Sequence, residues 1–211
     1  MELLLIAGGG HALVVDEAAR AQGWRVAGFV DDDEGAVLGG SLPRQGSLRD
    51  ARALVARGGL AWVLSMGGID TRARAIEAMR EVEGLAAVVV HPAAVVSASA
   101  RVGRGTFIGV RAIVQAGARL GAHAIVNTGA IVEHECDVGE NVHLAPGSIL
   151  GGRSVVGAGT LVGLGACVLP GVRIGRGCVV GAGATVLRDV DDGTTVVGTP
   201  ARALASPRVP A

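Results

Sequence analysis

The side chains able to do chemistry are few and gathered in one stretch: Asn127, the run Glu133-His134-Glu135, and His143. A neutral imidazole accepts a proton at working pH, and an adjacent carboxylate orients it and favours its protonated form. His134 with Glu135 is therefore a candidate general base with its partner, set against the alternative that a His-Glu pair is ordinary solvated surface. A zinc site needs three good ligands in tetrahedral geometry. His123, His134 and His143 are eleven and nine residues apart, a spacing that does not put two of them on one strand face, so no metal is expected. Cys136 and Cys178 read as inert wall residues, and three cysteines are too few and scattered for a disulfide framework.

The elements that position these residues beat in sixes. Every sixth residue from Val96 to Val186 is Val, Leu or Ile, sixteen positions without a slip. The residue two before each beat is mostly Ala, Ser, Thr or Cys, and the residue just after it is Gly in nine of the sixteen. A helix needs apolar residues near a spacing of 3.6, whereas a period of six fits short strand faces of a solenoid that bends every hexad. Three hexads make one triangular coil, and sixteen make about five coils. The beat residue points into the prism, the small residue fits the bend, and Gly tolerates the corner backbone. His134 and Glu135 fall two and three after the beat at Val132, at a corner and facing outward. His143, just before the beat at Leu144, lies on a different face, so it can meet His134 only across an interface between chains.

Ahead of the hexads the pattern is strand, glycine loop, helix, strand and acidic turn: Leu3 to Ala7, Gly8-Gly9-Gly10-His11, an amphipathic stretch from Ala12 to about Gln22, Arg25 to Val30, then Asp31-Asp32-Asp33. This is the opening of a βαβ nucleotide-binding unit. Leu13 stands where the dinucleotide fingerprint needs its third-position Gly, which points away from NAD and toward a smaller nucleotide ligand. Loop N–H groups at a helix start favour phosphate, and Asp31 sits at the usual distance for a ribose contact; glycines needed only for a tight turn are the competing reading. Helices are expected over 46–58 and 70–82, the latter capped by Asp70 or Thr71, and strands over 61–66 and 85–90. His91-Pro92 marks the boundary, giving a Rossmann-like domain over 1–90 and the β-helix with its C-terminal cap over 91–211. A last strand and turn around Val196 to Ala201 covers the open end, and the tail from Ser206 to Ala211 is expected to fray.

Composition narrows the classes. Half the 211 residues are hydrophobic, 2% are aromatic and 35 are Gly, which suits a narrow aliphatic prism with many corners. Nineteen basic residues, all Arg, balance nineteen acidic ones, so no general affinity for nucleic acid or anionic membrane is implied. The start MELLLIAGGG carries Glu2 and no basic residue, unlike a signal peptide, and no run reaches membrane-spanning length; a cytoplasmic setting is expected.

The segments IAGGGHALVVDEA, FVDDD, MGG, HPAA, NTGAIVEHECDVGENVHLAPGS and VVGTPARAL, spread over nearly the whole chain, resemble the hexapeptide-repeat acyltransferases. Within them they resemble the sugar O/N-acetyltransferases of the sialic acid O-acetyltransferase and bacillosamine-pathway type, enzymes of polysaccharide or glycan biosynthesis. The resemblance implies a left-handed parallel β-helix, although the general rule for parallel crossovers is right-handed, and a homotrimer with active sites between subunits using acetyl-CoA. It makes His134 the general base and Glu135 its partner. His143 and the backbone around Gly152, Leu164 and Ala182 would line the acetyl-CoA groove, with the Gly152 N–H as an oxyanion donor. Gly9, Gly10, His11, Asp31, Asp32 and Gly67 would hold a nucleotide-sugar; the family often has Ser in the place of Gly9 and Gly in that of Ala182. Arg153, Arg173, Arg176 and Arg188 would meet CoA phosphates or simply face solvent. The expected reaction is acetylation of the 4-amino group of a UDP-amino-sugar. O-acetylation of sialic acid or another sugar, a γ-carbonic-anhydrase-like metalloenzyme and a non-catalytic trimeric scaffold are the alternatives.

Overall fold

The computed structural model describes residues 1–40 and 42–204; the tail expected to fray lies outside them. The N-terminal unit runs β1 (Glu2–Ile6), α1 (Gly10–Gln22), β2 (Val26–Val30), β3 (Arg44–Gly46), α2 (Ala51–Ala56), β4 (Leu60–Leu64) and α3 (Ile69–Ala78). Its four strands form a parallel sheet in the order β3-β2-β1-β4. Both faces of a parallel sheet are covered, so its strands read as unbroken apolar runs. Leu3 and Leu5 pack with α1 on one side, and Leu4 and Ile6 pack with Trp62 and Met79 on the other.

Three expectations change here. The stretch expected as one helix over 46–58 splits, because Arg44–Gly46 pairs beside β2 and only Ala51–Ala56 is helical. The third helix starts after Gly68 with no side-chain cap, and a 3₁₀ turn over Arg80–Leu85 replaces its last turns. The strand expected over 85–90 shrinks to Val89–Val90, which pairs with Phe107–Ile108 as the first rung of the prism instead of joining the domain sheet.

The hexads form three-sided coils of two-residue parallel strands. The first face stacks Val89–Val90, Phe107–Ile108, Ile125–Val126, His143–Leu144, Leu161–Val162, Val179–Val180 and Thr195–Val197. The second runs from Val95–Val96 through Ile131–Val132 and Ile149–Leu150 to Thr185–Val186, and the third from Arg101–Val102 to Arg173–Ile174. Val126 pairs with Leu144 and Val132 with Leu150, so one coil takes eighteen residues, and the beat residues from Ile108 to Val186, joined by Val196, make one aliphatic core. The Gly just after the beat serves coil stacking, not the corner bend: a Cβ on Gly121 would come 2.5 Å from the Glu140 nitrogen in the next coil. The left-handed backbone falls two residues later, at Gly in most corners but at Arg111, His123, Glu135, Asn141 and Arg153 with φ of 58, 56, 58, 54 and 62°. The chain closes with Thr195–Val197 pairing antiparallel to Arg202–Ala203.

The N-terminal unit sits on the first face. Phe107 and Ile125, which point outward from the prism, share a core with Leu3, Val15, Phe29 and Val63.

Candidate active site

His134 and Glu135 occupy the edge between the second and third faces. The His134 Nδ1 lies 3.3 Å from the Glu135 Oε2, and the Arg153 Nε donates to that same oxygen at 2.9 Å. Arg153 stands one coil above Glu135, so the pair joins two stacked corners. The Arg153 bond first, and His134 second, hold the Glu135 carboxyl below its ordinary range. A carboxylate on Nδ1 places the proton there and leaves the Nε2 lone pair free. The ring rests on Gly152, where a Cβ would come 2.4 Å from Nε2, and the Gly152 N–H makes no hydrogen bond within the described residues. Arg153, expected to meet CoA phosphates or solvent, thus also anchors the Glu135 carboxylate, a contact that its spacing of eighteen from Glu135 allows.

A second cluster forms where the N-terminal unit meets the first face. The His143 Nδ1 donates to the Gly67 carbonyl at 3.0 Å, since a carbonyl can only accept. The Asn127 Oδ1 takes the Thr128 N–H at 2.8 Å, which turns the Asn127 Nδ2 toward the His143 Nε2 at 3.2 Å. His143 is thus a neutral ring in one tautomer, and burial first lowers its pKa against the pull of the Gly67 carbonyl. His11, in the first turn of α1, meets Phe107 edge-on at 5.3 Å and lies 6.4 Å from the His143 ring. Burial, then His143 and Arg72, push its pKa down to about 4, and its buried Nε2 has no partner among the described residues.

Packing singles out one glycine of the loop. Cβ atoms on Gly9 and Gly10 would meet open space, while one on Gly8 would strike the Phe29 ring at 2.4 Å; Gly8 is the residue that packing requires. Asp31 accepts the Gly8 N–H at 2.7 Å and the Asp33 N–H at 2.9 Å, and Asp32 accepts the Leu48 N–H at 3.0 Å. Both carboxylates thus hold loop backbone, after β1 and after β3. Gly67, at the end of the stretch after β4, touches the His143 ring.

Within one chain the candidate residues do not converge. His134 and Gly152 lie on the second/third edge, whereas Asn127, Leu164 and Ala182 lie on the first/second edge, with His143 on the adjoining face. Between the two edges the second face presents an outward ladder of Val95, Ile113, Ile131, Ile149 and Cys167, with Val95 63% and Ile149 37% exposed. The third face presents Arg101, Arg119, Asp137, Val155 and Arg173 in the same positions.

Comparison with known proteins agrees with this architecture. Residues 2–79 match the PglD N-terminal domain, 99–134 the hexapeptide repeat of succinyl-transferase, and 153–188 the bacterial transferase hexapeptide of six repeats. No curated protein matches the chain by sequence. Among solved structures, a variant of perosamine N-acetyltransferase from Caulobacter crescentus, with CoA and GDP-perosamine, is similar at 36% identity over 98% of each chain, TM-score 0.92. PerB from the same organism, with the same ligands, is 37% identical over 97% of this chain and 98% of its own, TM-score 0.90. The acetyltransferase domain of PglB from Neisseria gonorrhoeae, with acetyl coenzyme A, is 34% identical over 96% of this chain and 98% of its own, TM-score 0.87. The fold is accordingly an α/β N-terminal domain followed by a left-handed parallel β-helix, and the chain belongs to the hexapeptide-repeat sugar acetyltransferases.

Proposed function

We propose that this protein transfers the acetyl group of acetyl-CoA to the amino group of a nucleotide-activated amino sugar. The observation that carries the reading is the His134 ring, with Nδ1 on a carboxylate fixed by Arg153 and Nε2 free beside an unengaged Gly152 N–H. The amine nitrogen attacks the thioester carbonyl, and its N–H proton passes to the His134 Nε2. The Gly152 N–H supports the oxyanion. As the C–S bond breaks, the proton goes on to the departing sulfur, leaving an acetamide and CoA. PerB holds GDP-perosamine and CoA, and the PglB domain holds acetyl-CoA, which favours N- over O-acetylation. A UDP-4-amino-sugar remains the proposed acceptor, with a GDP-linked one as the second reading.

The division of labour follows the two units. The N-terminal domain, through Gly9, Gly10, His11, Asp31, Asp32 and Gly67, holds the nucleotide-sugar; the β-helix, which begins at Val89–Val90, carries the acetyl-CoA groove along His143, Leu164 and Ala182. The second face supports a closed trimer. Its aliphatic ladder is the apolar side of the prism that the N-terminal unit leaves uncovered, and ring closure by rotation pairs unlike edges of neighbouring copies. The first/second edge of one chain then meets the second/third edge of the next, which brings His143 and Asn127 of one subunit to His134 of another. No helix in the described residues is long and apolar enough to cross a membrane, and a cytoplasmic setting, where both substrates occur, belongs to this proposal.

A mixing experiment tests the reading. His134→Ala and His143→Ala chains are each expected to be inactive trimers. Co-expressed, they should recover acetyl transfer, because some mixed interfaces keep both histidines. Thiol release is measured with UDP- and GDP-linked 4-amino-sugars. A monomer in solution, or mixed trimers that stay inactive while each wild-type control turns over, would sink the shared site; no acetamide from any amino sugar would sink the activity.

A further inference from the structure

A buried charge that the proposed chemistry does not use acts on both His11 and His143. Arg72 on α3 is 1% exposed. Its Nη2 donates to the backbone oxygen of His123, while its Nε and Nη1 meet no acceptor among the described residues. No carboxylate of the described residues forms an ion pair with it. Taking a guanidinium out of water without a counter-ion is strongly unfavourable, and an aliphatic side chain would fill the same seam without that cost.

Its place in the chain explains what the charge is for. Arg72 follows closely on Gly67-Gly68, and three hydrogen bonds tie this stretch to the prism in sequence order. The His143 Nδ1 reaches the Gly67 carbonyl at 3.0 Å, the Asn141 Nδ2 reaches the Ile69 carbonyl at 3.1 Å, and Arg72 reaches the His123 carbonyl. His123 is itself held in place by stacking on Trp62, at 5.3 Å and 21°. The first of the three bonds sets the tautomer of His143, so the last two fix the position of the group that sets it.

We propose that Arg72 is a positioning residue: it clamps the Gly67 turn onto the prism, and its unbalanced charge adds to burial in keeping the His11 and His143 rings neutral. The groups that face these two rings are Arg72 from α3, each imidazole against the other, and the uncharged Phe107 ring, Asn127 amide and Gly67 carbonyl. Glu83 and Arg104 act on His123. Neutral rings matter because His11 then keeps its buried Nε2, which has no partner among the described residues, free for a substrate polar atom. The effect on turnover rests on the acetyl-transfer reading; the ring titrations do not.

Long-range ¹H–¹⁵N spectra of the full-length protein, taken against pH, provide the test. In the wild type His143 is expected in the Nδ1–H tautomer, with both rings titrating below the ordinary histidine value of about 6.5. Arg72→Met conserves volume and removes a desolvated charge but leaves the His123 carbonyl without its donor, so it is expected to fold with a modestly lowered Tm. Both rings should then titrate about half a unit to one unit higher, and the acid limb of kcat should move up with them. Arg72→Lys, which keeps the charge, should hold both near the wild-type values. A packing role alone would also lower Tm in Arg72→Met but leave the titrations in place, and that result overturns the proposal. If Arg72→Met does not fold, the wild-type spectra decide, since either ring titrating at or above 6.5 overturns it equally. Shifted titrations without acetyl transfer to any sugar would refute the proposed function and leave the role of Arg72 standing.

Discussion

At the second/third edge of the prism, Glu135 and Arg153 stand one coil apart in left-handed backbone; at the third/first edge, His123 and Asn141 do the same. A side chain in that region costs about 1 kcal/mol or more relative to Gly, and most other corners carry Gly there. The residue types at both edges look equally suited to chemistry. The first pair projects into solvent, where Arg153 fixes Glu135 and Glu135 fixes His134. The second pair lies under α3, with the His123 ring on Trp62 and the Asn141 amide on the Ile69 carbonyl. The difference is what packs over the corner. The open edge keeps its side chains available to substrates, and the covered edge spends them on holding the two units together.

Substitutions that act on one edge only should break the comparison cleanly. His134→Ala is expected to cost on the order of 10²- to 10⁴-fold in turnover with Tm unchanged, read by thiol release and thermal melting; a turnover near wild type would remove His134 from the chemistry. Gly152→Ala should cost about 10²-fold, because its Cβ would displace the His134 ring, again without loss of Tm. At the covered edge the pattern inverts. His123→Gly relieves the left-handed backbone but empties the space against Trp62, and should destabilise by about 2–4 kcal/mol in urea titrations. Glu135→Gly should leave Tm level or raised while turnover falls. Equal losses of stability at the two edges would erase the distinction.

The pH response sharpens it further. His123 and His11, both at the junction of the units, have pKa values lowered from 6.5 to about 4, chiefly by burial. Between those values the unfolded chain binds more protons than the folded one, so stability is complete above pH 6.5 and falls as pH drops toward 4. Glu135 is held below its ordinary value of 4.5, so its contribution is present above that pH and is lost only as pH falls through the lowered value. Urea midpoints should therefore begin to fall below pH 6.5, and His123→Gly should flatten this early part of the curve. A midpoint that stays level down to pH 4.5 would contradict the burial of these rings.

The hexads made the prism legible because one residue in six meets one environment throughout the run. The corner after Val132 was legible for the same reason, since position within the hexad fixes which way His134 points. Strand β3 was not, because Arg44–Gly46 has only two side chains and neither is apolar; its pairing comes from the neighbouring β2. Val89–Val90 has the composition of any buried strand, and only the register with Phe107–Ile108 assigns it to the prism. Arg72 was hidden by its type, since an arginine on a helix reads as solvated until the prism is laid over it. Gly8 was overlooked beside Gly9 and Gly10 because the collision with Phe29 joins residues in two different strands' neighbourhoods.

The pairing of Val126 with Leu144 and of Val132 with Leu150 makes the prism a measuring tape. Each graduation is eighteen residues long and advances about 4.8 Å along the axis. Losing one residue within a strand would turn the aliphatics that follow it out of the core; the last coil instead drops two residues at a corner, pairing Val180 with Val196 and keeping Val196 inside. One coil added between Arg153 and Leu164 would move the far end of the groove away by one graduation and leave His134, Glu135 and Arg153 as they are. A catalyst laid out in this way can change the span of the thioester carrier it accepts without disturbing its acid–base pair.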